Sequence, residues 1–300
     1  MNKIITFLKK ILFKNDKDTA LRKSLRKLHS ILNVRKLISQ PSLQYFEAHL
    51  TEHCNLNCVY CNHFSPLAKP EYLDLEKYEK DLIRLKTLTK GILKDIHLLG
   101  GEPLLHPKVN DFMTVSRRYF PNSKITVVTN GILLLKMDDD FWQTCAKEKI
   151  NIIISAYPIK LDKEAIAKKA QDYDWTRERG GSFIEFTEFK TMYQHCLNLD
   201  GNGNKLLNYL KCSPSVCTFL YEGKLFPCAI VANIRHFNGY FGKNLPVAQD
   251  DYIDIYKAKD IKEILKFLSK PISFCRYCNM DKKSFMHPWK VSDKKIDEWV

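Results

Sequence analysis

The chain has 300 residues, 45% of them apolar and 27% charged, enough to bury a full-sized core in one or two domains and too apolar for intrinsic disorder as its main state. Its formal net charge of +14 permits association with phosphates, nucleic acid or an anionic membrane without establishing any of them. No apolar run approaches the roughly 20 residues of a membrane span, and no small-residue cleavage site follows the broken apolar stretch over 4–13, so a cytoplasmic protein is expected.

The charge is concentrated at the start: residues 1–40 hold eleven Lys and Arg against Asp16 and Asp18. Ile4, Leu8, Ile11 and Leu12 share one face of a helix, and a second basic amphipathic stretch runs over 21–38. Two readings of this basic helical extension, residues 1–43, stay open. It could attach weakly to a membrane surface or an acidic partner, or form a solvated helical hairpin that caps the main domain.

From residue 45 onward strands alternate with helices, the pattern of parallel strands joined by crossovers. Strands are expected over 46–50, 96–99, 125–129, 150–155 and 183–189. The fourth is so rich in β-branched residues that burial on both faces is expected. Asp74 is placed to cap a helix carrying Leu75, Tyr78, Leu82 and Leu85 on one face, and further helices are expected over 109–119, 139–147 and 161–173. At least four βα units predict an α/β fold, a whole or partial β/α barrel, with functional groups at the C-terminal strand ends. Past residue 196 the alternation stops. A hairpin over 219–227 turns at Glu222 and Gly223, and a helix is expected over 257–268.

Ten cysteines in a reducing compartment point to metal ligation or catalysis rather than disulfides. Cys54, Cys58 and Cys61 lie within eight residues on a loop leaving a strand; three soft ligands so placed can hold three irons of a cubane cluster and leave the fourth without a protein ligand. Cys212, Cys217 and Cys228 form a looser group, Cys275 and Cys278 a pair, and Cys145 and Cys196 read as buried packing residues. Zinc is the alternative occupant of both sets.

The loop Cys54-Asn-Leu-Asn-Cys58-Val-Tyr-Cys61, followed some forty residues on by Gly100-Gly101-Glu102-Pro103, resembles the radical S-adenosylmethionine (AdoMet) enzymes. The likeness covers roughly residues 45–190 and extends more loosely to about 280. It implies a partial (β/α)6 TIM-like barrel, a [4Fe-4S] cluster on Cys54, Cys58 and Cys61, and AdoMet chelating the fourth iron. It places Tyr60 near the adenine, Gly100, Gly101, Glu102 and Pro103 against the methionyl amine, and Asn130 (within Thr129-Asn130-Gly131) and Ser155 against the ribose and carboxylate. Cys212, Gly223 and Cys228, with Cys275 and Cys278, resemble the SPASM domains in their shortened, twitch form, which implies one auxiliary [4Fe-4S] cluster in a small C-terminal domain. Cys217 could replace Cys212 as a ligand. The implied organisation is 1–43 extension, 44–195 radical core and 196–300 auxiliary-cluster domain.

The implied activity is reductive cleavage of AdoMet to a 5′-deoxyadenosyl radical that takes hydrogen from a small metabolite, expected to be carbohydrate-like, with a one-electron reductant such as flavodoxin or ferredoxin as partner. A peptide substrate, a non-catalytic electron carrier and a zinc protein are the alternatives. Nucleic acid is not expected, for the sequence has neither an RRM signature nor zinc-finger histidines. His63, Tyr157, Trp175 and Glu185 are polar or aromatic candidates near the barrel mouth; no catalytic acid or base is assigned.

Overall fold

The computed structural model describes residues 40, 42–176, 182–212, 217–280 and 286–300; the expected basic helices over 1–39 lie outside them. The strands are β1 (Tyr45–Thr51), β2 (Asp95–Gly100), β3 (Lys124–Thr129), β4 (Ile150–Ala156), β5 (Ile184–Glu188), β6 (Thr191–Tyr193), β7 (Phe219–Tyr221), β8 (Lys224–Phe226), β9 (Ile253–Asp254) and β10 (Met286–Pro288). The helices are α1 (Leu75–Thr89), α2 (Val109–Tyr119), α3 (Asp139–Lys147), α4 (Lys163–Gln171), α5 (Lys205–Lys211), α6 (Ala229–Phe241) and α7 (Ile261–Leu268). Eight strands form one sheet in the order β5-β4-β3-β2-β1-β7-β8-β9. β1 to β5 and β7 run parallel, whereas β8 pairs antiparallel with β7 and β9 antiparallel with β8. β10 pairs with β6 in a separate antiparallel ribbon.

Side-chain caps start the crossover helices where the sequence places an Asp: Asp74 accepts from the Lys77 N–H at 2.8 Å, Asp138 from Phe141 at 2.9 Å and Asp162 from Ala165 at 2.9 Å. Tyr78, Leu82 and Leu85 of α1, with Phe112 and Met113 of α2 and Phe141 and Trp142 of α3, pack on Phe46, Ile96, Leu98, Ile125 and Ile152 of the sheet. At about 25 cal/mol per Å² of apolar surface, this layer is the main source of stability.

Three expectations change. β4 alternates between buried (Ile150, Ile152, Ile154) and half-buried residues (Asn151, Ile153, Ser155), so only one face is sealed. The last helix starts at Ile261 rather than 257, because Asp260 caps it by accepting from the Glu263 N–H at 2.9 Å. After Cys196 the chain is more regular than its periodicity suggested: α6 escapes detection because residues 229–234 are all buried and carry no polar face. The hairpin does turn at Glu222 and Gly223, and Asp81 of α1 accepts the Gly223 N–H at 2.8 Å. β7 hydrogen-bonds to β1, so the segment after residue 196 extends the same sheet. Among the described residues no helix is long and apolar enough to cross a membrane.

Candidate functional site

β1 ends at Thr51, and the loop that follows crosses the C-terminal ends of β2, β3 and β4. Two glycines allow this crossing. A Cβ on Gly101 would lie 2.0 Å from the His53 carbonyl oxygen, and one on Gly100 would lie 2.3 Å from that of Thr51, so any side chain here would displace the cysteine loop. Backbone bonds close the contact: Gly101 N–H donates to Thr51 O at 2.8 Å and Glu102 N–H to His53 O at 3.1 Å. The Thr51 hydroxyl donates to Glu102 O at 2.8 Å.

The loop's three thiols then face one cavity of about 140 Å³, lined also by His63, Ser65, Gly100, Gly101, Thr129, Asn130, Ser155, Tyr157 and Met192. Groups from three strand ends thus meet one cysteine loop. Burial pushes the Cys54 and Cys58 thiols up to about 12 and raises Cys61 as well. Donors pull the other way. Cys54 Sγ accepts from the Leu56 N–H at 3.4 Å and from Asn130 Nδ2 at 3.7 Å. Cys58 Sγ accepts from Trp289 Nε1 at 3.1 Å and from the Tyr157 hydroxyl. Cys61 accepts from the N–H groups of His63, Phe64 and Ser65. Three buried thiols ringed by donors are poised for the thiolate form that only a bound metal centre would hold at neutral pH.

Of the expected cofactor contacts, Gly100, Gly101, Asn130 and Ser155 line the cavity, and Tyr60, Glu102 and Pro103 do not. Tyr60 packs on His287 with ring centroids 5.0 Å apart. Pro103 begins a buried turn. Glu102 is fully buried and accepts from the Thr129 hydroxyl at 2.6 Å, the Asn130 N–H at 2.9 Å and the Leu104 N–H at 3.1 Å. Its carboxyl therefore ties the end of β2 to the end of β3, and burial lifts it to about 7 against the pull of those donors. Asn130 also donates to Asn55 Oδ1 at 2.7 Å, anchoring the cysteine loop to β3. Of the other candidates, His63 and Tyr157 line the cavity. Burial, with His49 beside it, pushes His63 down to about 3, so it is neutral at pH 7. Trp175 bonds the carbonyl of Ile150 at the opposite end of β4, and Glu185 is exposed on β5; neither reaches the site.

Cys212, Cys228, Cys275 and Cys278 gather at a second, much smaller cavity of about 20 Å³ among Tyr209, Pro227, Ile272 and Phe274. Burial pushes Cys228 and Cys275 up to about 12, and each of these thiols feels the negative charge of others in the set. Four such thiols cannot ionise together without a cationic centre among them. Asn208 donates to the carbonyls of Cys275 at 2.9 Å and Cys278 at 2.6 Å, fixing their turn. Cys217 lines neither cavity; its thiol hydrogen-bonds with Tyr45 and Glu47. Cys145 is buried against Met113. Among the described residues no three His, Cys, Asp or Glu side chains converge closely enough to hold a single metal ion; both cysteine sets stand around a cavity instead. Ser65 and Met192, which line the cavity, and Trp289, which hydrogen-bonds Cys58 Sγ, are site residues that no sequence motif announced, since each comes from outside the strand-end pattern.

Residues 49–158 match the Radical SAM superfamily. The chain therefore carries a radical SAM domain over those residues, and the catalysis that this supports is radical SAM catalysis. It is 24% identical over 272 residues to a GTP 3′,8-cyclase of Clostridium botulinum, across 85% of this chain and 83% of that one. A GTP 3′,8-cyclase of Helicobacter pylori is 32% identical over 121 residues, 40% of this chain and 37% of that one. The crystal structure of BtrN in complex with AdoMet and 2-DOIA shares the fold, with a TM-score of 0.52 at 16% identity over 81% of this chain and 94% of that one.

Proposed function

We propose that this protein is a cytoplasmic radical AdoMet enzyme that takes hydrogen from a small, carbohydrate-like metabolite, with a second iron–sulfur cluster serving the reaction. The observation that carries the reading is the meeting of Cys54, Cys58 and Cys61 with the backbone of Gly100 and Gly101 and the side chains of Asn130 and Ser155 around one cavity. We read the six parallel strands as a partial barrel, residues 44–195 as the radical core and 196–300 as the auxiliary-cluster region.

When bound, the cluster and AdoMet supply one-electron cleavage of the sulfonium and a carbon radical that no side chain could generate. The chain supplies the rest. Cys54, Cys58 and Cys61 would hold three irons, and among the described residues no fourth cysteine lines their cavity. The close approach at Gly100 and Gly101 brings backbone rather than side chains against the space for the methionyl group, and Glu102 holds that backbone to β3. Ser155 and the neutral His63 give the cavity polar groups that can meet hydroxyls without adding charge. Cys212, Cys228, Cys275 and Cys278 would hold the second cluster, with all four corners taken by the protein, which favours electron acceptance over substrate binding there. A GTP 3′,8-cyclase and BtrN with 2-DOIA, both similar to this chain, point to a small molecule rather than a peptide. A flavodoxin or ferredoxin is the expected electron donor.

The test is anaerobic incubation of the reduced protein with AdoMet. Formation of 5′-deoxyadenosine and methionine, abolished by Cys54→Ala, Cys58→Ala and Cys61→Ala together, is expected. A protein that contains stoichiometric zinc and leaves AdoMet intact would refute the reading.

A further inference from the structure

Cys58 differs from Cys61, and from Cys54 apart from that residue's 3.7 Å contact with Asn130, in where its hydrogen bonds originate. The backbone donors to Cys54 and Cys61 come from the loop itself, whereas Cys58 Sγ accepts at 3.1 Å from the indole of Trp289, 231 residues further along the chain. An indole nitrogen can only donate, so the direction of this bond is unambiguous. The contact is also built on both sides. Trp289 N–H donates to Lys190 O at 3.0 Å directly after the β10–β6 ribbon, Val59 N–H donates to Lys290 O at 3.0 Å, and Ser292 N–H donates to Asn57 O at 2.8 Å. The residues flanking Cys58 are therefore bonded to the residues following Trp289. Trp299, nearer the chain end, donates through Nε1 to Cys61 O at 3.1 Å. Glu298 holds the intervening turn by accepting from the Ser292 hydroxyl and the Asp293 N–H.

We infer that Trp289 is a positioning residue for the radical cluster, one whose N–H donation to the Cys58 sulfur raises the cluster's reduction potential, and that the C-terminal segment carrying it is part of the cluster site. This rests on the proposed ligation of that cluster by Cys54, Cys58 and Cys61. A donor at a ligand sulfur withdraws charge from it and stabilises the more negative, reduced form. Such a donor eases the one-electron reduction on which turnover depends. Trp289 also packs beside Tyr157, with ring centroids 6.1 Å apart, so two donors from distant parts of the chain converge on the same sulfur.

The experiment compares the full-length, cluster-loaded protein with Trp289→Phe, which keeps the ring and removes the donor. A redox titration followed by the electron paramagnetic resonance signal of the reduced cluster should show the midpoint moved to more negative potential at unchanged iron content, while Trp299→Phe leaves it in place. In the unsubstituted protein with isotopically labelled indole nitrogen, the reduced cluster should show a magnetic coupling to that nitrogen, a result that requires no variant to fold. An unchanged midpoint in Trp289→Phe, or no coupling in the labelled protein, overturns the inference while leaving the ligation intact. Retention of about eight irons, two cubanes, when Cys54, Cys58 and Cys61 are all replaced by alanine overturns the ligation and the inference together.

Discussion

The two cysteine sites use the same soft donors, yet the chain reaches them differently. At the first, a single eight-residue loop delivers Cys54, Cys58 and Cys61 to a cavity of about 140 Å³ whose other walls are the ends of β2, β3 and β4. At the second, Cys212 comes from the end of α5, Cys228 from the start of α6, and Cys275 and Cys278 from one turn; the space left is about 20 Å³ and its neighbours are largely apolar or aromatic. The first arrangement leaves room for a ligand beside the sulfurs, and the second encloses whatever it holds. Position in the fold explains the contrast, since strand ends of a parallel sheet open into a shared crevice, whereas a site assembled from three separated segments is closed by their packing.

The largest expected effect attacks the open site through its backbone. Gly101→Ala places a methyl 2.0 Å from His53 O, and we expect a loss of about 3 kcal/mol or more in stability with failure to retain the first cluster; thermal unfolding and iron content measure both. The closed site should respond to its own ligands alone. Cys228→Ser is expected to remove about four irons, those of one cubane, while Cys217→Ser, whose thiol partners Tyr45 and Glu47, keeps them. Equal loss from the two variants would show that the wrong cysteine has been left out of the set.

Glu102 sharpens the comparison by pH. Its folded-state value is raised from the usual carboxylate range to about 7 by burial. Its protonated form is therefore favoured in the native state, and this contribution to stability, full below about pH 4.5, is lost as pH rises through about 7. The span is roughly 3 kcal/mol at most. Unfolding midpoints measured between pH 4 and 8 should fall with pH, and Glu102→Gln should flatten that slope while weakening the tie to Asn130. The smallest effect is expected far from both sites: Lys77 and Glu222 form an exposed pair at 3.1 Å, and Lys77→Ala should change stability by no more than about 0.5 kcal/mol.

How much of this was legible in the sequence follows from how local each signal is. β1 to β5 and the cap at Asp74 rest on periodicity and neighbouring residues, and the expected positions of α2 and α3 match the structure to the residue. The cavity's first wall was legible for the same reason: three cysteines on one loop and two glycines at a strand end are short-range patterns. α6 was hidden because its first half, residues 229–234, is buried all round and has no period to detect. Trp289 was hidden because its role depends on the ribbon that returns the chain end to residue 57. Glu102 was singled out as a cofactor contact, yet it lies outside the cavity lining; besides the local Leu104 N–H its donors are the Thr129 hydroxyl and the Asn130 N–H, which only the fold brings to the carboxyl.

Iron and acid-labile sulfide counts on protein reconstituted without oxygen test the two-site account most directly. About eight irons in the wild type, falling to about four when Cys54, Cys58 and Cys61 are replaced by alanine and to about four when Cys275 and Cys278 are replaced, are expected for two independent cubanes. About four irons in the wild type, or zinc in place of iron at either set, would contradict it.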